Sequence, residues 1–220
     1  MTATVPTLTW VVVMPVKPLI RAKTRLSTRP AGERRSLVRA FAWDSANAVL
    51  ASEHVADVVM VTDDPILQGD ITAHGGSWIP DVPDGGLNAA LVHGEKYVRE
   101  SFPDAGIAVV TCDVPALKTA ELDAALKAAA QVDRGYLSDA AGTGTTFLTV
   151  RPGIALNPSF GHRSAAAHKA SGATPLDCGA VPGLRRDVDT EIDLWDARRL
   201  GVGPATARIL VMDREETDRG

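Results

Sequence analysis

Three short apolar runs punctuate the first half of the chain: 8–16 (LTWVVVMPV), 56–62 (ADVVMVT) and 107–112 (IAVVTC). Each is mostly apolar and rich in β-branched side chains, which predicts strands buried on both faces, as in a parallel sheet. The segments between them repeat apolar residues at helical spacing. In 32–51 the stripe is Leu37, Phe41, Ala48 with Val38, Ala42, Val49. In 87–100 it is Leu87, Ala90, Leu91, Gly94 and Val98, and in 118–130 it is Leu122, Ala125 and Leu126. Strand and helix in alternation predict βαβ units and a mostly parallel sheet.

The rhythm loosens after residue 135. GYLSDAAGTGTTFLTVRP reads as two strand pieces around a Gly/Thr turn, and NPSFGHRSAAAHKASGA as a loop leading into a short alanine-containing helix. LRRDV, inside 183–189, reads as a further extended segment. TEIDLWDARRLG reads as a helix, with Thr190 and Asp193 as a capping pair and Gly201 just past its end. No repeat, low-complexity stretch or long linker divides the chain, so a single domain over 1–220 is expected.

Composition narrows the partners. The chain of 220 residues carries 23 basic and 27 acidic residues, a net charge of -4, which argues against a general nucleic-acid or membrane-surface binder. Its two cysteines, Cys112 and Cys178, have no CxxC spacing and predict neither a disulfide framework nor a zinc site. The amino terminus has no basic start, and its apolar run is too short to span a membrane, so a cytoplasmic protein is expected.

In open parallel sheets ligands bind beyond the carboxyl ends of the strands. Polar residues after the apolar runs are therefore the candidates. PVKPLIRAKTRL, residues 15–26, gathers Lys17, Arg21, Lys23 and Arg25 against the acidic background. It lacks the glycines of a Walker A loop, so any phosphate grip comes from cationic side chains. A solvated basic loop is the other reading. Asp113 follows the third strand, as a hard-cation ligand or as a turn residue. Asp187 and Asp189 flank Val188; on an extended segment both carboxylates point to one side and repel unless a cation lies between them. Magnesium suits such oxygen donors. Helix capping accounts for Asp189 alone and leaves Asp187 over. The GTGT of 142–145 and the helix start at Gly161 and Ser164 could offer amides and hydroxyls to an anion, or be ordinary turn and cap chemistry.

Taken together and in order, PVKPLIRAKTRL, GGLNAAL, TCDVPAL, DAAGTGTTFL, FGHRSAAAHKASGA and PGLRRDVDTEIDLWDARRLGVGPAT resemble the CofC/FbiD guanylyltransferases of coenzyme F-420 synthesis, over about residues 9–207. The resemblance implies a three-layer α/β/α sandwich with a mostly parallel, Rossmann-like sheet, as in nucleotide-diphospho-sugar transferases. It implies transfer of GMP from GTP to phosphoenolpyruvate, giving enolpyruvoyl-2-diphospho-5'-guanosine and diphosphate. The product would pass to a downstream F-420 pathway transferase.

The residues that match the family's motifs carry its roles. Asp113, Asp187 and Asp189 match the Mg2+-binding aspartates. Thr145, Gly161 and Ser164 match the positions that hold phosphoenolpyruvate. Lys17 and Lys23, with Arg25, match the basic loop expected near the phosphates, and Asn88 is a candidate contact for guanosine. The nucleophile would be an ionised phosphate oxygen, so no histidine is needed as a base; His162 and His168 are read as polar loop or helix residues. The alternatives are 2-phospho-L-lactate or 3-phosphoglycerate as the acceptor, a nucleotidyltransferase for another acceptor, and a non-catalytic nucleotide-binding regulator.

Overall fold

The computed structural model describes residues 8–16 and 30–217. Lys17, Lys23 and Arg25, with Arg21, lie outside the described residues. Seven strands form one sheet, with helices between them: β1 (Trp10–Pro15), α1 (Ala31–Leu50), β2 (Val55–Val61), α2 (Pro65–Ala73), β3 (Ser77–Ile79), α3 (Leu87–Ser101), β4 (Gly106–Val110), α4 (Thr119–Ala129), β5 (Arg134–Ser138), β6 (Thr145–Val150), α5 (Ser164–Ala170), β7 (Thr174–Pro175), α6 (Pro182–Arg185), α7 (Glu191–Leu200) and α8 (Pro204–Thr217). The strand order is β3-β2-β1-β4-β6-β5-β7. Neighbours pair in parallel except β6, which runs antiparallel to both β4 and β5.

Alternation along the central strands builds two cores. Trp10, Val12 and Met14 of β1 join Val58, Met60, Ala108, Val110 and Phe147 on one face, under α1, α2, α4 and α6. Val11 and Val13 join Val59, Val61, Ile107, Val109 and Leu148 on the other, under α3 and α5. Helices thus cover both faces of the sheet, giving the expected three layers, and the mostly apolar runs follow from that double burial. A third cluster packs Leu37 and Phe41 of α1 against Ala116, Val188, Leu194, Ala197 and Leu210, which fastens the carboxyl-terminal helices to the body. Asp44, buried on α1, reinforces this by accepting from the amides of Ala205 and Thr206 at 3.0 and 2.8 Å, which caps α8. Among the described residues no helix is long and apolar enough to cross a membrane.

Two sequence expectations change. β4 stops at Val110, and Thr111–Asp113 leave it in a turn, so Cys112 is not on a strand. LRRDV is not extended throughout: Pro182–Arg185 form the short helix α6, with Pro182 in its first turn. The carboxylate of Glu121 accepts from the amides of Gly183 and Leu184 at 3.1 and 3.0 Å and so stabilises that helix start. Gly183 lies so close to the 113–116 turn that an added Cβ would sit 2.3 Å from the Ala116 carbonyl oxygen. The capping pair is as expected: Thr190 Oγ1 accepts from the Asp193 amide at 3.3 Å, and the Asp193 carboxylate accepts from the Thr190 amide at 2.8 Å.

Candidate active site

The reversed strand assembles the site. β6 is antiparallel to β4, so its first residue, Thr145, arrives at the carboxyl end of β4 rather than the far side of the sheet. The Thr111 amide donates to the Thr146 carbonyl at 3.2 Å, placing Thr145–Thr146 beside the turn that carries Asp113. The Val188 amide donates to the Asp113 carbonyl at 2.9 Å. Val188 is fully buried, Asp187 is half-buried and Asp189 is exposed, so the two aspartates flank an anchored residue beside the turn that follows the carboxyl end of β4. The arginines before them are committed. Arg185 donates to the carbonyls of Ser138 and Asp139, and its own carbonyl accepts from Ala140 at 2.7 Å. Arg186 pairs with Asp193 and Asp196 of α7 at 3.6 and 3.4 Å. These arginine contacts tie the β5–β6 hairpin, α6 and α7 together, while the acids of 187–196 outnumber the two arginines.

Backbone convergence is not a preformed ligand cage. Among the described residues no three His, Cys, Asp or Glu side chains are grouped closely enough to hold a metal ion. Magnesium does not need such a cage. It takes hard oxygen donors, often one or two carboxylates, and completes its shell with water and substrate phosphates. Half-buried Asp113 and Asp187 and exposed Asp189 supply donors of that kind at and beside that turn. The residues therefore fit a magnesium ion held together with bound phosphates. The acids after β2 have other work: Asp64 caps α2 and pairs with Arg39 at 2.9 Å, and the Asp63 carboxylate accepts from the Asp81 amide at 3.2 Å.

The acceptor side is built from the hairpin and α5. The amides of Thr143 and Gly144 do not form an open cradle, because the Asp139 carboxylate accepts from both at 2.9 and 2.8 Å. The helix start is also partly occupied: the Ser164 and Ala165 amides donate to the carbonyls of Gly161 and Thr143 at 3.2 and 3.1 Å. What remains of the expected anion contacts is the backbone at Gly161 and the hydroxyls of Thr145 and Ser164. Gly161 sits at φ +134°, which favours glycine, and Arg163 adopts a left-handed conformation before the helix. Asn88, at the start of α3, donates to the Phe160 carbonyl at 3.0 Å and accepts from its amide at 2.8 Å. It is a strut for the loop bearing Gly161, with one amide hydrogen and one carbonyl lone pair left over.

His168 is the residue that sequence reasoning underrated. It is fully buried, one helical turn from Ser164, which is 2% exposed. Its ring contacts Phe160 edge-on, centroids 5.0 Å apart. Its Nδ1 lies 3.0 Å from Thr145 Oγ1, and its Nε2 accepts from the Ser159 amide at 2.9 Å. Burial, aided by the Arg134 guanidinium, lowers its pKa to about 4. Arg134 itself is buried and donates to the carbonyls of Leu156, Asn157 and Ser171, tying the start of that loop to the end of α5. The i,i+4 pair Ser164/His168 was the available signal, since it puts both side chains on one helix face. Elsewhere, a cavity of about 330 Å³ between α6 and α7 is lined by Arg185, Arg186 and Arg199 and includes none of the expected ligand-holding residues.

The comparisons with known proteins bear on the family and the fold. Residues 10–172 match the family described as "Guanylyl transferase CofC like". A phosphoenolpyruvate guanylyltransferase from Streptomyces coelicolor is 51% identical over 201 residues, covering 91% of this chain and 95% of the relative. Among solved structures, one from Desulfovibrio desulfuricans, provisionally described as a nucleotide-diphospho-sugar transferase, aligns with a TM-score of 0.68 at 18% identity, covering 94% of this chain and 95% of the other. A 4-diphosphocytidyl-2C-methyl-D-erythritol synthase aligns with a TM-score of 0.60 at 13% identity, covering 88% and 99%. These two likenesses concern the fold, whereas the family match and the half-identical relative concern ancestry along nearly the whole sequence, and by them the chain belongs to the CofC-like guanylyltransferases.

Proposed function

We propose that this protein transfers GMP from GTP to phosphoenolpyruvate, forming enolpyruvoyl-2-diphospho-5'-guanosine and diphosphate in coenzyme F-420 synthesis. The observation that carries this reading is the 51% identity, over 91% of the chain, to a relative named for that reaction. The meeting of Thr145 with the Asp113 turn at the carboxyl end of β4 supports it.

The chemistry is phosphoryl substitution. An oxygen of the acceptor's phosphate attacks the α-phosphorus of GTP, the bond from that phosphorus to the bridging oxygen breaks, and diphosphate leaves. The attacking oxygen is ionised at neutral pH, so no general base is required. The main obstacle is bringing two polyanions together. Asp113, Asp187 and Asp189 would hold magnesium; when bound, the ion neutralises phosphate charge and aligns attacking and leaving oxygens. Lys17, Lys23 and Arg25 would stabilise the triphosphate and the departing diphosphate. Thr145, Gly161 and Ser164 would hold the acid, and Asn88 would keep Gly161 in place through Phe160. The product would be consumed by a transferase of the same pathway.

The test is incubation of the protein and magnesium with GTP and, separately, phosphoenolpyruvate, 2-phospho-L-lactate and 3-phosphoglycerate, following diphosphate release and product mass. Phosphoenolpyruvate is expected to give the highest kcat/KM. A clear preference for another acid would reassign the acceptor. GTP binding without diphosphate release for any acceptor would leave a regulatory module instead.

A further inference from the structure

We propose that His168 is a positioning residue that fixes the direction of the Thr145 hydroxyl and so makes this threonine an obligate hydrogen-bond donor to the acceptor acid. This rests on the reading above that Thr145 faces the phosphorylated acid.

Hydrogen-bond bookkeeping leads to it. A backbone N–H can only donate, so the Ser159 amide, 2.9 Å from Nε2, requires that nitrogen to be the unprotonated acceptor. A neutral imidazole then carries its proton on Nδ1. Nδ1 lies 3.0 Å from Thr145 Oγ1, so it donates to that oxygen. With a lone pair of Oγ1 turned toward His168, the threonine's own proton must point away from the ring. Among the described residues His168 is the hydrogen-bond partner of this hydroxyl. An anionic carboxylate or phosphate accepts hydrogen bonds and donates none, so a hydroxyl fixed as a donor is already oriented for it. The ring cannot easily turn over. It is fully buried, Phe160 packs against it edge-on, and its two nitrogens are held from different segments. The lock therefore passes from the 157–163 loop through the ring to β6.

Two measurements test this. In ¹⁵N spectra of the histidine rings in the full chain, His168 is expected to show the Nδ1–H tautomer, unchanged from pH 8 to pH 5.5. An Nε2–H tautomer, or a cation at pH 5.5, would overturn the proposal whatever the substrate proves to be. In kinetics, His168→Gln can still accept from the Ser159 amide through Oε1 but has no donor at the Nδ1 position. Its KM for the acid should rise ~10-fold, with KM for GTP and kcat nearly unchanged. His168→Asn keeps a donor at that position and should recover to within about three-fold of wild type. Thr145→Val should show the same rise, and Thr145→Val/His168→Gln should be no worse than either single change. If Gln and Asn impair the enzyme equally, or if the double variant is additive, His168 is merely structural and the inference fails. If the wild-type protein guanylylates none of the acids, the functional reading falls, while the tautomer measurement still decides the placement of His168.

Discussion

The amide of Val188 donates to the carbonyl of Asp113 across 2.9 Å, joining the turn after β4 to the segment before α7. Val188 is sealed in the third core cluster, so packing anchors the backbone between the two aspartates. Substituting Asp113, Asp187 or Asp189 by Ala should thus leave the fold intact while lowering turnover ~10²–10³-fold or more. Diphosphate release and a melting curve on the same preparation check both halves. Near-normal turnover in folded Asp187→Ala and Asp189→Ala would remove magnesium from those positions.

Gly183→Ala should destabilise the protein. Its new methyl would press on the Ala116 carbonyl, a backbone group that cannot swing aside, in a helix whose first amides are held by Glu121. Overpacking of this kind costs about 1–3 kcal/mol. Urea denaturation should report it, and the same shift of the 113–116 turn should depress catalysis more than it depresses GTP binding.

Asn88→Ala distinguishes two roles for one side chain. If Asn88 only holds Phe160, the variant should raise KM for the acid ~10-fold while KM for GTP stays within about two-fold. If it contacts guanosine, KM for GTP should rise instead. Initial rates with each substrate varied in turn settle the matter.

His168 predicts a particular acid sensitivity. Its pKa falls from 6.5 to about 4 on folding, chiefly by burial and secondly through Arg134. Between those values the unfolded chain holds the proton and the native protein does not, so stability decreases as pH falls from about 6.5 and levels off below about 4. Above 6.5 the contribution is fully present. The difference amounts to about 3 kcal/mol at most. Chemical denaturation at pH 7.5 and pH 4.5 should show the loss in wild type and a smaller one in His168→Asn.

Cys112→Ser should retain activity within a few-fold. The thiol packs against the first core cluster, and burial, with Asp113 adding to it, pushes its pKa well above the ordinary range. It is held neutral, and the transfer needs no thiol nucleophile. Slow alkylation at pH 8 in the native protein and fast alkylation in urea would confirm that protection.

The long elements were legible because each repeats one pattern over many residues. β1, β2 and β4 were found by continuous apolar runs, and α1, α3 and α4 by their stripes. Short elements escaped. α2 has only nine residues, although Asp64 followed by Pro65 was a readable start, and β3 has three. The segment read as extended, LRRDV, overlaps α6 only at Leu184 and Arg185; Pro182, whose fixed φ suits a helix start, was the local sign of that helix. At the site the aspartates were nameable from type and place, but their partners were not. Asp63, which holds the Asp81 amide, and Asp113 each simply follow an apolar run, and nothing local separates the two. The supposed amide cradle of GTGT turned out to be filled by Asp139, an acid four and five residues upstream whose reach depends on how the hairpin closes. Likewise the role of His168 is set by Ser159 and Thr145, which only the tertiary structure brings to its two nitrogens.

The reversal of β6 makes the connection before it a kind of ruler. One residue gained or lost between Ser138 and Thr145 would either slide the strand by roughly 3.3 Å or swap which side chains look up and down. The six residues between β5 and β6 thus set which side chains β6 presents beside the Asp113 turn, and a single insertion or deletion there would change them all at once.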